Sequence, residues 1–386
     1  MLFALVLAEV GLRLRSIRFA AIRAGLEDQH FHHRLRPNQT YHYGSKEFAV
    51  DIRTNRYGLR GPEPVVPKPE GTFRILMLGD SFTFGFPVKD PEVFSAIIEQ
   101  QLKAQGLQVD VVNGGVSGDS PTLHYVSLRD QYLEFDPDLV VLWYDLGDLQ
   151  EDHWYQKNLL YDEAGRIVRC DPRYINGRFS WSEWLTKRSA LAKYLHAKVI
   201  RSVQKIQVLG LGGYVRAKLR GERAKVAIAR LKASQQSEDL GAHDRFLLVR
   251  NSLTPEQLER SWGLSRSYLI MIRDLLAERG IGFAVGIYPY GMVAGPEEWT
   301  HGRTFWGFDD GKLYDAGQMV SMFSRFSDVT GVPLINTFDS FRQAAGKDKL
   351  FYGWDGHMTP AGHEILAAHF TADPRLRQWL SRGTDN

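Results

Sequence analysis

The sequence predicts an α/β fold: a three-layer sandwich with a central parallel sheet of about five strands, covered by helices on both faces and interrupted by a helical insertion. Three observations predict it. Short β-branched runs alternate with helical patterns from residue 72 to 149, and the same alternation returns from residue 255 onward. The stretch between them, 151–253, differs in composition and reads as an insertion, and a polar, turn-rich stretch precedes the first strand.

In order along the chain, Arg74 to Leu78 reads as a strand, Glu92 to Lys103 as a helix and Val109 to Asn113 as a strand. A helix over Leu123 to Leu133 and a strand over Leu139 to Trp143 follow. Beyond the insertion come a long helix from Pro255 to Arg279, strands at Phe283 to Ile287 and Pro333 to Ile335, and a final helix that starts at Pro360. Strands separated by helices pair in parallel, because a parallel partner needs a crossover long enough to hold a helix. The expected division is an apolar and basic N-terminal segment over 1–27, a stem over 28–71 that ends in Pro62, Pro64, Pro67 and Pro69, and a main domain over 72–386.

A chain of 386 residues with 44% hydrophobic and 24% charged content buries a large core rather than staying disordered. Its formal net charge of +3 gives no basis for nucleic acid as the main partner. Cys170 is the single cysteine, which excludes an internal disulfide and any multi-cysteine metal site. His30, His32 and His33 lack acidic or cysteine ligands at matched spacing and read as solvated stem residues, so no metal or organic cofactor is expected.

Met1 to Leu12 is an apolar run broken by Glu9 and followed by Arg13, Arg15 and Arg18. It falls short of the roughly 20 apolar residues that span a bilayer, and no basic region precedes it as in a secretory signal. It suits the tail of a membrane anchor, an interfacial amphipathic helix, or a helix packed on the domain. Within the insertion, Arg201, Lys205, Arg216, Lys218, Arg220, Arg223, Lys225 and Arg230 face almost no acid except Glu222. Such a stretch suits an anionic membrane surface, a polyanionic polymer, or simply a solvated helical face.

Three blocks carry the chemistry. In Ile75-Leu76-Met77-Leu78-Gly79-Asp80-Ser81 a strand runs into a turn and then a helix, placing Ser81 at the carboxyl edge of the sheet, where open α/β sheets bind ligands. Alone, this motif also suits an N-capping serine. In Asp355-Gly356-His357, before the last helix, an acid and a base are close enough to activate a hydroxyl: a serine needs a base, and the base needs a partner that fixes its tautomer. His363 is the competing base, but it opens an apolar helical run. The third block, Asn113-Gly114-Gly115-Val116-Ser117-Gly118, follows the second strand, and its glycines let backbone N–H groups approach a substrate. The segment from Tyr288 and Tyr290 to Trp299, His301, Arg303, Trp306 and Phe308 lies at the same edge and suits a sugar face or a packed lid.

Together these blocks resemble the SGNH/GDSL hydrolase family, a flavodoxin-like set of esterases, lipases and acetyl-transferring enzymes, over Arg74 to Leu149 and Gly280 to Phe370. The resemblance implies that Ser81 is the nucleophile, that Asp355 and His357 complete the triad, and that Ser81 and Gly118 supply oxyanion-hole N–H groups. The apolar N-terminus, the stem and Thr54-Asn55-Arg56-Tyr57-Gly58-Leu59-Arg60-Gly61 also look like membrane-anchored bacterial members linked to acylation of surface polysaccharides. There are two departures. The family's third block supplies an Asn to the oxyanion hole, whereas Gly147 falls about there in this chain, making its N–H a further candidate donor. Asp355 and His357 are separated by one residue rather than the family's usual two.

The expectation is a serine-dependent acyl-ester hydrolase or O-acyltransferase, with acetyl as the expected group. Its substrate would be an acylated carbohydrate or surface polysaccharide outside the cytoplasm, with a cytoplasmic location as the alternative. The rival is a catalytically inactive polysaccharide-binding component that kept the fold.

Overall fold

A computed structural model describes residues 2–17, 26–196, 199, 244–250 and 253–383. Five strands form one parallel sheet: β1 (Phe73–Leu78), β2 (Val109–Asn113), β3 (Leu139–Tyr144), β4 (Gly282–Ile287) and β5 (Leu334–Asn336). The spatial order is β5-β4-β3-β1-β2. This is the flavodoxin-like order, whose direction of winding reverses between β1 and β3, and the carboxyl ends of the strands at such a reversal are where open α/β sheets bind ligands. Every residue of β1 and of β3 is buried, as expected of central strands covered on both faces.

Eleven helices serve as landmarks among the described residues. Before the insertion these are α1 (Leu2–Ile17), α2 (Ser81–Phe84), α3 (Phe94–Ala104), α4 (Pro121–Asp130), α5 (Asp148–Tyr155) and α6 (Trp181–Arg188). After it come α7 (Pro255–Ala277), α8 (Gly317–Thr330), α9 (Phe338–Ala344), α10 (Pro360–Ala372) and α11 (Pro374–Gly383). Helix α3 packs with α10, and α10 with α9, while α7 packs with α4 and α5. The expected strands are present with one-residue shifts, but α10 is not the last helix. Asp373 ends it, Pro374 starts α11, and Asp373 binds Arg375 in the new first turn.

The insertion is not purely helical. It opens with two antiparallel hairpins, Leu159–Tyr161 with Ile167–Cys170 and Tyr174–Ile175 with Arg178–Phe179, before α6 begins. The basic run from Arg201 to Arg230 lies outside the described residues. Cys170 is buried, and burial pushes its thiol up, so it is a packed and unreactive group. Glu9, which interrupts the apolar run of α1, accepts the Ala190 and Leu191 N–H groups at 2.9 and 2.8 Å, capping a helix over 190–196. Helix α1 therefore touches the insertion, with Leu5, Val6, Leu7 and Val10 exposed.

The stem packs on the sheet domain. Within Thr54 to Gly61, Asn55 accepts the Tyr57 and Leu59 N–H groups at 3.0 and 3.1 Å, folding a turn that buries Arg60. The Arg60 guanidinium donates to the carbonyls of Phe84, Gly85 and Val88 at 3.1, 2.6 and 2.5 Å and to Asp90 at 2.8 Å. Those carbonyls form the exit of α2, which ends at Gly85 in the left-handed region with φ of 82°. Arg60 thus ties the stem to the short helix that carries Ser81. Arg60→Ala strands several buried carbonyls and is expected to lower the unfolding free energy by about 3 kcal/mol, measured by urea denaturation.

Candidate active site

Strand β1 ends at Gly79, and no side chain fits there: a Cβ would lie 2.1 Å from the Thr83 hydroxyl and 3.0 Å from the Trp143 carbonyl. The chain turns at once into α2, where the Asp80 carboxylate accepts the Phe82 N–H at 2.9 Å as an N-cap. Ser81 is left at the first helical position, half-buried at the sheet edge.

The three predicted side chains meet. His357 Nε2 lies 2.8 Å from Ser81 Oγ, and His357 Nδ1 lies 2.5 Å from Asp355 Oδ1. Because the carboxylate can only accept, Nδ1 carries the proton and Nε2 is free to accept from the Ser81 hydroxyl. The one-residue spacing works through Gly356, whose φ of 89° reverses the chain so that Asp355 and His357 face each other. Trp299 packs where a Gly356 Cβ would stand, 2.5 Å away. Burial disfavours a charged His357, but the Asp355 charge and hydrogen bond, with Asp80 and Asp145 behind, outweigh it and raise its pKa above 6.5. His363, the competing base, is buried instead: it accepts the Phe94 N–H at 3.3 Å, stacks on Phe94, and burial pushes its pKa down to about 3.

Gly118 and Gly147 fare differently. Gly118 has φ of 85°, and neither its N–H nor that of Ser81 meets a protein acceptor among the described residues. The Val116 N–H donates to the Gly79 carbonyl at 3.0 Å, which seats this loop against the Ser81 turn. Gly147 is a correction. Its N–H donates to Asp145 Oδ1 at 2.6 Å and is not free for an oxyanion, because Asp145 folds back over the end of β3. A Cβ at Gly147 would also lie 2.6 Å from Arg245 Nε, so that guanidinium takes the space beside it.

The sequence placed the aromatic segment at this edge without its role, and gave no signal for Arg245 or Glu47. The Tyr288 hydroxyl lies 3.2 Å from Asp80 and 3.0 Å from Asp145, and Tyr290 donates to Asp145 at 2.7 Å, so the aromatic segment after β4 forms the floor under Ser81. Phe82 lies against both tyrosines and His357, with ring centroids 4.7 to 5.1 Å apart. Arg245, from the far end of the insertion, donates to Glu151 at 2.8 Å. Glu47, in the stem, accepts the Trp354 N–H at 3.0 Å and the Asp355 N–H at 3.1 Å, bracing the Asp355–His357 loop. Nothing in the sequence pairs Asp80 with Asp145 or Glu47 with Asp355.

The stem histidines also depart from expectation. His30 contacts Asp130 at 2.6 Å, whereas His33 has only 16% of its side chain exposed and reaches Ser117 and Asp119. His33 is not solvated, because the Leu26–Asp28 and His32–Arg34 hairpin lies on the domain, whereas His30 keeps 41% of its side chain exposed. Among the described residues no group of His, Cys, Asp or Glu is arranged to hold a metal ion.

No family profile and no curated protein matches the chain. Among solved structures it is similar to an acetyl xylan esterase, 11% identical with a TM-score of 0.38, covering 77% of this chain and 98% of that one. A lipase/acylhydrolase from Enterococcus faecalis is 13% identical, with a TM-score of 0.38 and coverage of 79% and 96%. A catalytic mutant of an acetylxylan esterase from Geobacillus stearothermophilus is 14% identical, with a TM-score of 0.37 and coverage of 80% and 94%. At that level the likeness decides nothing about the reaction, which rests on the geometry of the site.

The acids under Ser81 make stability depend on pH. Burial, then the neighbouring Asp145 charge, pushes Asp80 up to about 7. Burial pushes Glu151 up to about 8 in spite of Arg245. Unfolded, both carboxyls release their protons near their ordinary values of 3.8 and 4.5, so between there and about 8 the folded state holds more protons and stability falls as pH rises. His357, raised above 6.5, acts in the same direction: its contribution is complete below 6.5 and is lost through its higher folded value. Below pH 6.5 the buried neutral His33, His124 and His363 oppose this trend, because they gain protons on unfolding; above it the melting temperature is expected to fall towards about pH 8 in thermal melts, and Glu151→Gln to flatten that slope.

Proposed function

We propose that the protein is a serine-dependent acyl-ester hydrolase or O-acyltransferase of the SGNH/GDSL type, with Ser81 as nucleophile, His357 as general base and Asp355 as its orienting partner. The observation that carries this reading is the unbroken hydrogen-bonded chain Asp355–His357–Ser81 at the carboxyl edge of a parallel sheet.

In the first step His357 Nε2 takes the Ser81 proton while Oγ attacks the ester carbonyl, forming the Oγ–C bond. The carbonyl oxygen becomes an oxyanion, held by the N–H groups of Ser81 and Gly118. Asp355 stays ionised: burial alone would raise its pKa, but the His357 charge and hydrogen bonds bring it below the usual value. The imidazolium then protonates the leaving oxygen, the ester C–O bond breaks, and the acyl group remains on Ser81. Water completes a hydrolysis, and a sugar hydroxyl completes a transfer.

A carbohydrate substrate is favoured by the flat aromatics at the rim. Trp354, next to Asp355, is 62% exposed and lies 4.7 Å from His301, and Phe305 and Trp306 are exposed beyond the packed Trp299. Such faces suit sugar rings, and the one-residue Asp355–His357 spacing is shared with some acetyl-transferring members, which shifts the balance slightly towards transfer. Helix α1 exposes four apolar side chains, which suits contact with a membrane surface outside the cytoplasm. No helix among the described residues is long and apolar enough to cross a membrane.

Acetate release from an aryl acetate and from an acetylated polysaccharide tests this reading. Ser81→Ala and His357→Ala are each expected to lose about 10³-fold or more in kcat. The acid limb of the wild-type kcat/KM profile is expected above pH 6.5, because only neutral His357 is a base. A wild type no faster than Ser81→Ala on any ester would overturn it.

A further inference from the structure

We propose that His33 and Tyr155 are positioning residues that fix the Ser117–Gly118 peptide so that its N–H faces the reacting carbonyl, which makes the stem part of the active site. The proposal rests on the reading of Gly118 as an oxyanion donor.

Val116 to Asp119 form a tight turn closed by the Asp119 N–H on the Val116 carbonyl at 3.0 Å, with Gly118 at φ of 85° in its third position. That φ belongs to a type II turn, whose middle peptide differs from the type I arrangement by a flip. The middle peptide here is Ser117–Gly118, and no strand or helix holds it. Its orientation decides where the Gly118 N–H points, because a trans peptide directs N–H and C=O to opposite sides.

Both carbonyls around Gly118 are held from outside the turn. His33 Nε2 donates to the Ser117 carbonyl at 3.0 Å, and the Tyr155 hydroxyl donates to the Gly118 carbonyl at 2.5 Å. The first bond grips the very peptide whose N–H would meet the oxyanion. Since a carbonyl can only accept, Nε2 of His33 carries the proton. Burial pushes the His33 pKa down to about 4, so the ring is neutral and its Nδ1 accepts from His32 Nδ1, 3.1 Å away. The result is a directed series, His32 to His33 to the Ser117 carbonyl and on through the peptide to the Gly118 N–H, and bonds in series polarise one another. Asp119 Oδ1 lies 3.3 Å from His33 Nε2 but accepts no hydrogen bond from it, which leaves that N–H to the Ser117 carbonyl.

The histidine pair is itself anchored. Asp28 accepts the His30 and Phe31 N–H groups at 2.7 and 2.8 Å, and the Arg34 guanidinium stacks 3.0 Å over the Phe31 ring. Nothing in that hairpin reaches Ser81 directly, so its effect on the reaction passes through the Ser117–Gly118 peptide.

The test compares His33→Phe, which fills the space without a donor, with His33→Gln, which keeps an N–H, and with Tyr155→Phe, which removes one hydroxyl. His33→Phe is expected to lower kcat by ~10- to 100-fold with KM little changed, and His33→Gln to restore most of it. A crystal structure of His33→Phe is expected to show the Ser117–Gly118 peptide turned. If His33→Phe does not fold, Tyr155→Phe carries the same two measurements. Unchanged kcat, an equal loss in His33→Gln, or a peptide that keeps its orientation overturns the proposal. If the wild type is no faster than Ser81→Ala, the esterase reading fails, and the peptide's orientation in the variant still decides the clamp.

Discussion

At the end of β1 the Asp80 carboxylate accepts the Phe82 N–H, and that bond starts α2 where it does. Were the helix to begin one residue later, Ser81 would leave the first turn and its hydroxyl would lose its line to His357. The cost is a buried carboxylate beside a like charge: burial, then Asp145, disfavours ionisation of Asp80. Tyr288 answers it by placing its hydroxyl between the two acids, 3.2 Å from Asp80 and 3.0 Å from Asp145. The floor of the site is therefore set by what Asp80 needs, and Ser81 and His357 stand on that floor.

The other elements of the site come from far along the chain. Arg60 holds the exit of α2, Glu47 holds the backbone of the Asp355–His357 loop, and His33 holds the turn that bears Gly118. All three lie in the stretch before β1, which behaves as a brace across the carboxyl edge of the sheet. Loops at such an edge have few ladder bonds of their own and depend on side chains to fix their peptides. A short polar segment that supplies buried donors and acceptors to three loops is a compact solution to that need.

Ser81, Asp355 and His357 were legible because each sits in a local pattern, a strand into a glycine turn or an acid and base beside a helix start. The parallel sheet was legible from short apolar runs such as those of β1 and β3. The brace was not. Glu47 and Asp355 are 308 residues apart, and His33 and Ser117 are 84, so no local pattern links them. His32 and His33 stand in a polar stretch and read as solvated, because burial is a property of the hairpin that lays them on the domain. Gly147 was placed in the oxyanion hole by its position, but Asp145, two residues earlier, takes its N–H. Arg245 beside it comes from the other end of the insertion.

The central claim is that Ser81 forms a covalent bond to the acyl group. Intact-mass spectrometry of the protein quenched early in its reaction with an aryl acetate, followed by peptide mapping, tests this most directly. The account predicts a single adduct with the mass of one acetyl group, on Ser81 and absent from Ser81→Ala. An active protein that shows no adduct, or carries it on another side chain, would contradict it.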